Sequence, residues 1–197
     1  MAKKLVLFSQ PSKEIFKKLK VELFPKFLTG RRFAYMPSDG SDQENNQKYL
    51  PVWKNFVEAN QAEFIFVDNS QRGGLVNLEK QKILSADVLM ITGGNTFKLL
   101  HQLRQSGLDE TILDFWRKDN VVLSGFSAGA IVLSPSIETS RDINELQLVN
   151  LNGLNIVNFE IWPHYNSSQE QVLSDFKSKN NPNIRTITND EIILINQ

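Results

Sequence analysis

Residues 121–133 read Val-Val-Leu-Ser-Gly-Phe-Ser-Ala-Gly-Ala-Ile-Val-Leu, and few folds can accommodate such a stretch. The β-branched and aliphatic opening reads as a buried strand. The run breaks at Gly125-Phe126-Ser127-Ala128-Gly129 and resumes as helix-compatible sequence. Strand, Gly-x-Ser-x-Gly, helix is the arrangement of a nucleophile elbow, a turn so tight that it lifts one hydroxyl clear of the sheet edge. The two glycines are needed because strand and helix backbones come together there and side chains would collide with them. The same turn leaves Ser127 beside the free N–H groups of a helix N-terminus, which can stabilise a developing oxyanion.

The rest of the chain repeats the strand-then-helix theme. An apolar run without alternation marks a strand buried on both faces at Lys4–Phe8, and further strands are read at Arg32–Met36, Glu63–Asp68 and Asp87–Thr92, with a later one at Ile156–Trp162. Between them lie helical patterns. One starts at an N-cap, Ser12, and carries Ile15, Phe16, Leu19, Leu23 and Phe24 on one face. Another bears Tyr49, Val52, Trp53, Phe56 and Val57, with Pro51 expected to kink it or begin a new helix. Further helices are predicted up to Leu84, from Phe97 to Gln105, from Leu108 to Lys118 and from Ser168 to Lys179. Asn180–Asn183 reads as loop, and residues 185–196 as a closing hairpin or two short strands. Such alternation predicts one α/β domain over residues 1–197, a mostly parallel sheet with helices on both faces.

Composition narrows the function classes. Lysine plus arginine equals aspartate plus glutamate at 22 each, so neither nucleic acid nor a membrane surface is expected as the main partner. There is no cysteine, which excludes disulfides, thiolate metal sites and a cysteine nucleophile. No apolar run approaches the ~20 residues that span a bilayer. A cytoplasmic protein, a monomer or small homo-oligomer, is the expectation. Carboxylates and the two histidines do not cluster at metal-ligand spacing, and no dinucleotide or phosphate loop is present, so neither metal nor cofactor is expected.

In open α/β sheets the functional site lies beyond the carboxyl ends of the strands. Those ends here present Gly93-Gly94-Asn95, Ser127 and His164. A serine hydroxyl needs an adjacent base. Of the two histidines, His101 sits inside an amphipathic helix, whereas His164 follows Pro163 at a strand end and is the candidate base. A carboxylate must then fix its tautomer. Asp142 gives the chain order Ser, Asp, His, and Asp190 gives Ser, His, Asp; both remain open, with Glu138 and Glu145 as weaker rivals. The glycines of the Gly93-Gly94-Asn95 turn suit the second half of an oxyanion hole, paired with the N–H of Ala128. Gly93, Asn95 and Asn166 are candidate substrate contacts.

Three separated motifs carry a family resemblance: Ile91-Thr92-Gly93-Gly94-Asn95-Thr96, Ser124-Gly125-Phe126-Ser127-Ala128-Gly129-Ala130 and Pro163-His164-Tyr165. Together they resemble peptidase E, the aspartyl dipeptidase family of serine peptidases, with cyanophycinases as more distant relatives. The resemblance implies a flavodoxin-like sheet related to class I glutamine amidotransferases. It also implies Ser127 as nucleophile, His164 as base, Gly94 and Ala128 as oxyanion donors, and a short peptide as substrate. An esterase of similar triad order, or a catalytically silent peptide-binding module, are the competing expectations. One departure stands out. Family members carry an arginine shortly after the Pro-His stretch to pair with a substrate aspartate, but Asn166-Ser167-Ser168-Gln169-Glu170-Gln171 contains no basic residue. Arg72, Arg141 and Arg185 are the candidates to replace it, and without one an aspartyl preference is not expected.

Overall fold

The inner strands of the main sheet are apolar on both sides because both sides are covered. A computed structural model of the chain describes residues 2–28, 30–180 and 183–197. Strands β1 (Lys4–Phe8), β2 (Arg32–Met36), β3 (Glu63–Phe66), β4 (Val88–Ile91), β5 (Val122–Phe126) and β8 (Ile192–Asn196) form a six-stranded sheet ordered β3-β2-β4-β5-β1-β8. All pairings are parallel except β1 with β8, which is antiparallel at the edge. Side chains alternate between two cores, as a period of two requires. Leu5, Leu7, Ala34, Met36, Leu89, Ile91 and Leu123 enter one cluster. Val6, Phe8, Phe33, Tyr35, Val88, Met90 and Val122 enter the other.

Helices α1 (Lys13–Glu22) and α2 (Gln43–Ala59) cover the second of these faces with Ile15, Leu19, Leu23, Trp53 and Val57. Helices α3 (Val76–Leu84), α4 (Thr96–Ser106), α5 (Leu108–Arg117) and the short α6 (Ala128–Ile131) cover the first. Local chemistry sets their ends. Ser12 sits in extended backbone and its hydroxyl accepts from Ile15 N, as its place before the apolar stripe predicted. Gly107, at φ 66°, closes α4 in the left-handed conformation and lets α5 begin at the next residue.

Two expectations need correction. Pro51 begins no new helix, because α2 continues through it. Pro51 faces solvent, so water can satisfy the carbonyl that loses its helical donor. The strand expected from Ile156 shortens to β6 (Glu160–Trp162), and it stands outside the main sheet, paired in parallel with β7 (Ile184–Thr186). Residues 156–159 instead pack Val157 and Phe159 into the core as irregular chain. Of the hairpin or two short strands expected over residues 185–196, the second holds: β7 joins β6 and β8 joins β1, so the turn at 188–190 spans from one sheet to the other. The last helix, α7 (Glu170–Asn180), follows a 3-10 turn at Ser167–Gln169. The loop expected at 180–183 lies partly outside the described residues. No helix among the described residues is long and apolar enough to cross a membrane.

Candidate active site

The elbow has the geometry its glycines imply. Ser127 is held at φ 49° and ψ −118°, a conformation few non-glycine residues adopt. Its N–H donates to Phe8 O at 3.1 Å, tying the turn to β1. A Cβ on Gly125 would lie 2.3 Å from Gly129 O, and one on Gly129 would lie 2.1 Å from Ile91 O. Neither position can carry a side chain while α6 stays pressed against β4 and β5. As the first residue of α6, Ala128 has an N–H with no acceptor inside its own helix. Gly93 packs against Ser127, since a Cβ there would lie 3.0 Å from Ser127 Cβ. Gly94 adopts φ 145°, and a Cβ on it would strike Ser38.

His164 arrives from the small sheet and is pinned to the large one. Its backbone, at φ 56°, donates from N to Ser9 Oγ at 2.9 Å, and Ser9 Oγ donates to Ile187 O at 2.8 Å. Ser9 follows β1 and is fully buried, so this hydroxyl fastens the ends of β6 and β7 to the carboxyl edge of the main sheet. The imidazole then spans two partners. Nε2 lies 2.9 Å from Ser127 Oγ, and Nδ1 lies 3.0 Å from Asn189 Oδ1. An amide oxygen can only accept, so Nδ1 carries the proton and Nε2 presents its lone pair to the Ser127 hydroxyl.

The structure therefore brings together Ser127 and His164, with Gly93, Gly94 and Ala128 around them, but neither candidate aspartate reaches the imidazole. Asp142 Oδ2 accepts instead from Thr96 N and Thr96 Oγ1, both at 2.7 Å, and from Ser140 Oγ at 3.1 Å. Asp190 is exposed, and its backbone oxygen accepts from Lys18 Nζ at 2.7 Å. The residue at the third position is Asn189, which a search confined to carboxylates passes over. Its signal was a Thr-Asn-Asp turn between two short strands. Two expected substrate contacts serve as caps. Asn95 Oδ1 accepts from Lys98 N at 3.0 Å at the start of α4, and Asn166 Oδ1 accepts from Ser168 N at 3.0 Å in the 3-10 turn.

Ser127 and His164 open onto a cavity of about 420 Å³ at the carboxyl ends of β1, β2, β4 and β5. Tyr35, Trp53 and Phe126 line it, together with Gly93, Gly94, Asp39, Asp42 and Asn46. Burial pushes the Tyr35 hydroxyl up to about 12, against a smaller opposing effect of its hydrogen bond with Thr92, so it stays protonated. Hydrogen bonds from the side chain and backbone of Asn45 hold the Asp42 carboxyl below the usual range. Among the described residues, no lysine or arginine lines the cavity. Arg72 is bonded to the oxygens of Asn69, Gln71 and Gln102, Arg141 lies over Trp162, and Arg185 lies over Phe159.

Comparison with known proteins supplies the family. An uncharacterized peptidase, Lmo0363 of Listeria monocytogenes, is 29% identical over 189 residues, which covers 89% of this chain and 88% of the relative. Peptidase E of Shigella flexneri is 34% identical over 148 residues, or 74% of this chain and 61% of the relative. A crystal structure from Listeria monocytogenes, assigned provisionally to peptidase E, superposes with a TM-score of 0.77 at 27% identity, over 100% of this chain and 95% of that one. A peptidase from an acI-B1 actinobacterium shares the fold at a TM-score of 0.72 and 18% identity, over 99% and 84% of the two chains. The family model of peptidase family S51 matches residues 5–197. The chain therefore belongs to peptidase family S51 and is a peptidase.

Proposed function

We propose that this peptidase hydrolyses short peptides, dipeptides above all, through an acyl-enzyme on Ser127. The observation that carries the reading is the relay from Ser127 Oγ to His164 Nε2 at 2.9 Å and from His164 Nδ1 to Asn189 Oδ1 at 3.0 Å. His164 takes the hydroxyl proton as Ser127 attacks the scissile carbonyl. The N–H groups of Ala128 and Gly94 receive the oxyanion. His164 then returns the proton to the leaving amine, and water repeats the cycle to release the acyl group. Asn189 holds the tautomer, as the amide does in Cys-His-Asn proteases, but brings no charge to the imidazolium.

A cavity of about 420 Å³ has room for a dipeptide and little more. Its walls favour an uncharged residue at the cleaved bond. A desolvated substrate carboxylate needs a cationic or multiply hydrogen-bonded partner, and the lining offers carboxylates instead. Treatment with a fluorophosphonate, followed by peptide mass mapping, tests the mechanism. Labelling confined to Ser127 and abolished in His164→Ala supports it, and an unlabelled Ser127 in a folded, peptide-cleaving enzyme refutes it.

A further inference from the structure

We infer that Asp142 is a positioning residue that clamps the Gly93–Gly94 turn in place for the oxyanion, an inference that rests on the serine-hydrolase reading above. The geometry points to this role because Asp142 meets the start of α4 and not the base. Its Oδ2 accepts from both the backbone N and the Oγ1 of Thr96 at 2.7 Å. Thr96 is fully buried and stands two residues after Gly94. Next to it, Asn95 Nδ2 donates to Ile143 O at 3.0 Å, so residues 95–96 and 142–143 are latched twice.

Two successive glycines cannot hold a turn by their own preferences, because glycine loses more conformational freedom on ordering than any other residue. The turn must nonetheless be rigid if its N–H is to meet an oxyanion without reorganisation. The latch supplies that rigidity from outside. A carboxylate at the first residue of α4 is also favoured by the helix dipole. The other end of the 134–143 segment is anchored on the strand that delivers the base: Thr139 Oγ1 donates to Ile161 O at 2.7 Å, and Ile161 N donates to Ser134 Oγ at 3.1 Å. Asp142 therefore sits where a strap from β6, which leads to His164, grips the turn that follows β4.

Loosening a donor should cost less than deleting one, which costs about 10²- to 10³-fold in turnover. For Asp142→Ala and Asp142→Asn the expected result is a kcat lowered about 10- to 50-fold, with KM within about twofold and the acidic limb of the kcat/KM profile where wild type has it. Thr96→Val, which keeps the backbone donor, should give a smaller loss, and combined with Asp142→Ala it should add less than its own single effect. Hydrogen exchange over residues 93–97 should quicken in the Asp142 variants. That readout does not depend on Ser127, so a failure of the clamp and a failure of the serine mechanism, tested in parallel with Ser127→Ala, are distinguishable. Should Asp142→Ala fail to fold, Asp142→Asn and Thr96→Val carry the test. An acidic limb that moves or vanishes in the Asp142 variants would make Asp142 a partner of His164 and overturn the inference. Unchanged kcat together with unchanged exchange would overturn it equally.

Discussion

Asn189 is the residue whose replacement says most about how this site works. Its Oδ1 meets His164 Nδ1 at 3.0 Å in an exposed turn, and the bond becomes charge-assisted when His164 takes the Ser127 proton. Hydrogen bonds to charged groups contribute about 1.5–3 kcal/mol. Converted at about 1.4 kcal/mol per decade, Asn189→Ala should lower kcat about 10- to 150-fold. Exposure lets water replace part of the lost bond, which favours the lower end. Loss of a buried triad aspartate, by contrast, costs about 10⁴-fold. Asn189→Asp should act in the opposite direction on pH. A carboxylate against Nδ1 favours the imidazolium, so the base stays protonated to higher pH and the acidic limb of kcat/KM moves up relative to wild type.

The assay is the kcat/KM profile from pH 5 to 9 for wild type, Asn189→Ala and Asn189→Asp on one neutral dipeptide. A loss of 10⁴-fold or more in Asn189→Ala would mean that the site depends on this turn in a way a neutral hydrogen bond cannot explain. Unchanged turnover in Asn189→Ala with an unmoved limb in Asn189→Asp would refute the relay altogether.

Gly129→Ala should destabilise the fold by about 3 kcal/mol or more, because its Cβ would lie 2.1 Å from the backbone oxygen of Ile91; an unchanged urea midpoint would contradict the close approach. Burial pushes the Glu160 carboxyl above the usual carboxylate range, Glu138 nearby acts in the same direction, and hydrogen bonds with Ser136 oppose the rise. Its Oε2 has no hydrogen-bond partner among the described residues, and the folded state binds that proton more tightly than the unfolded chain does. Stability should accordingly fall as pH rises from the ordinary glutamate value through the raised one, and Glu160→Gln should flatten this fall in denaturation midpoints measured from pH 4 to 8. A dipeptide panel should show no preference for aspartate at the cleaved residue; aspartyl dipeptides cleaved tenfold better than seryl or asparaginyl ones would show that a cation reaches the cavity after all.

Much of this was legible in the chain where short-range chemistry decides. β1 and β2 begin and end where the apolar runs do, because strands covered on both faces leave no ambiguity of pattern. Ser12 caps α1 because the hydroxyl, the backbone donor and the apolar stripe all lie within one turn. The tight turn at Ser127 and the glycines around it were readable for the same reason. What sequence patterns could not supply were contacts set by chain crossings. The 188–190 turn reaches His164 only because β7 pairs with β6 while β8 pairs with β1, and nothing local to Asn189 announces that crossing. Asp142 kept its place among the triad candidates because chain order says nothing of direction. In space its carboxylate turns toward the start of α4. The missing arginine was legible as an absence, but that Arg72, Arg141 and Arg185 are occupied away from the cavity required the fold.

In the proposed mechanism everything depends on the hydroxyl of Ser127, which His164 activates to form the acyl-enzyme. Dipeptide hydrolysis by Ser127→Ala, compared with wild type in the same preparation and with folding checked by thermal melting, tests it most directly. In Ser127→Ala, kcat/KM should fall by at least about 10⁴-fold while the melting temperature holds. Peptide hydrolysis by Ser127→Ala at a rate within tenfold of wild type would contradict it.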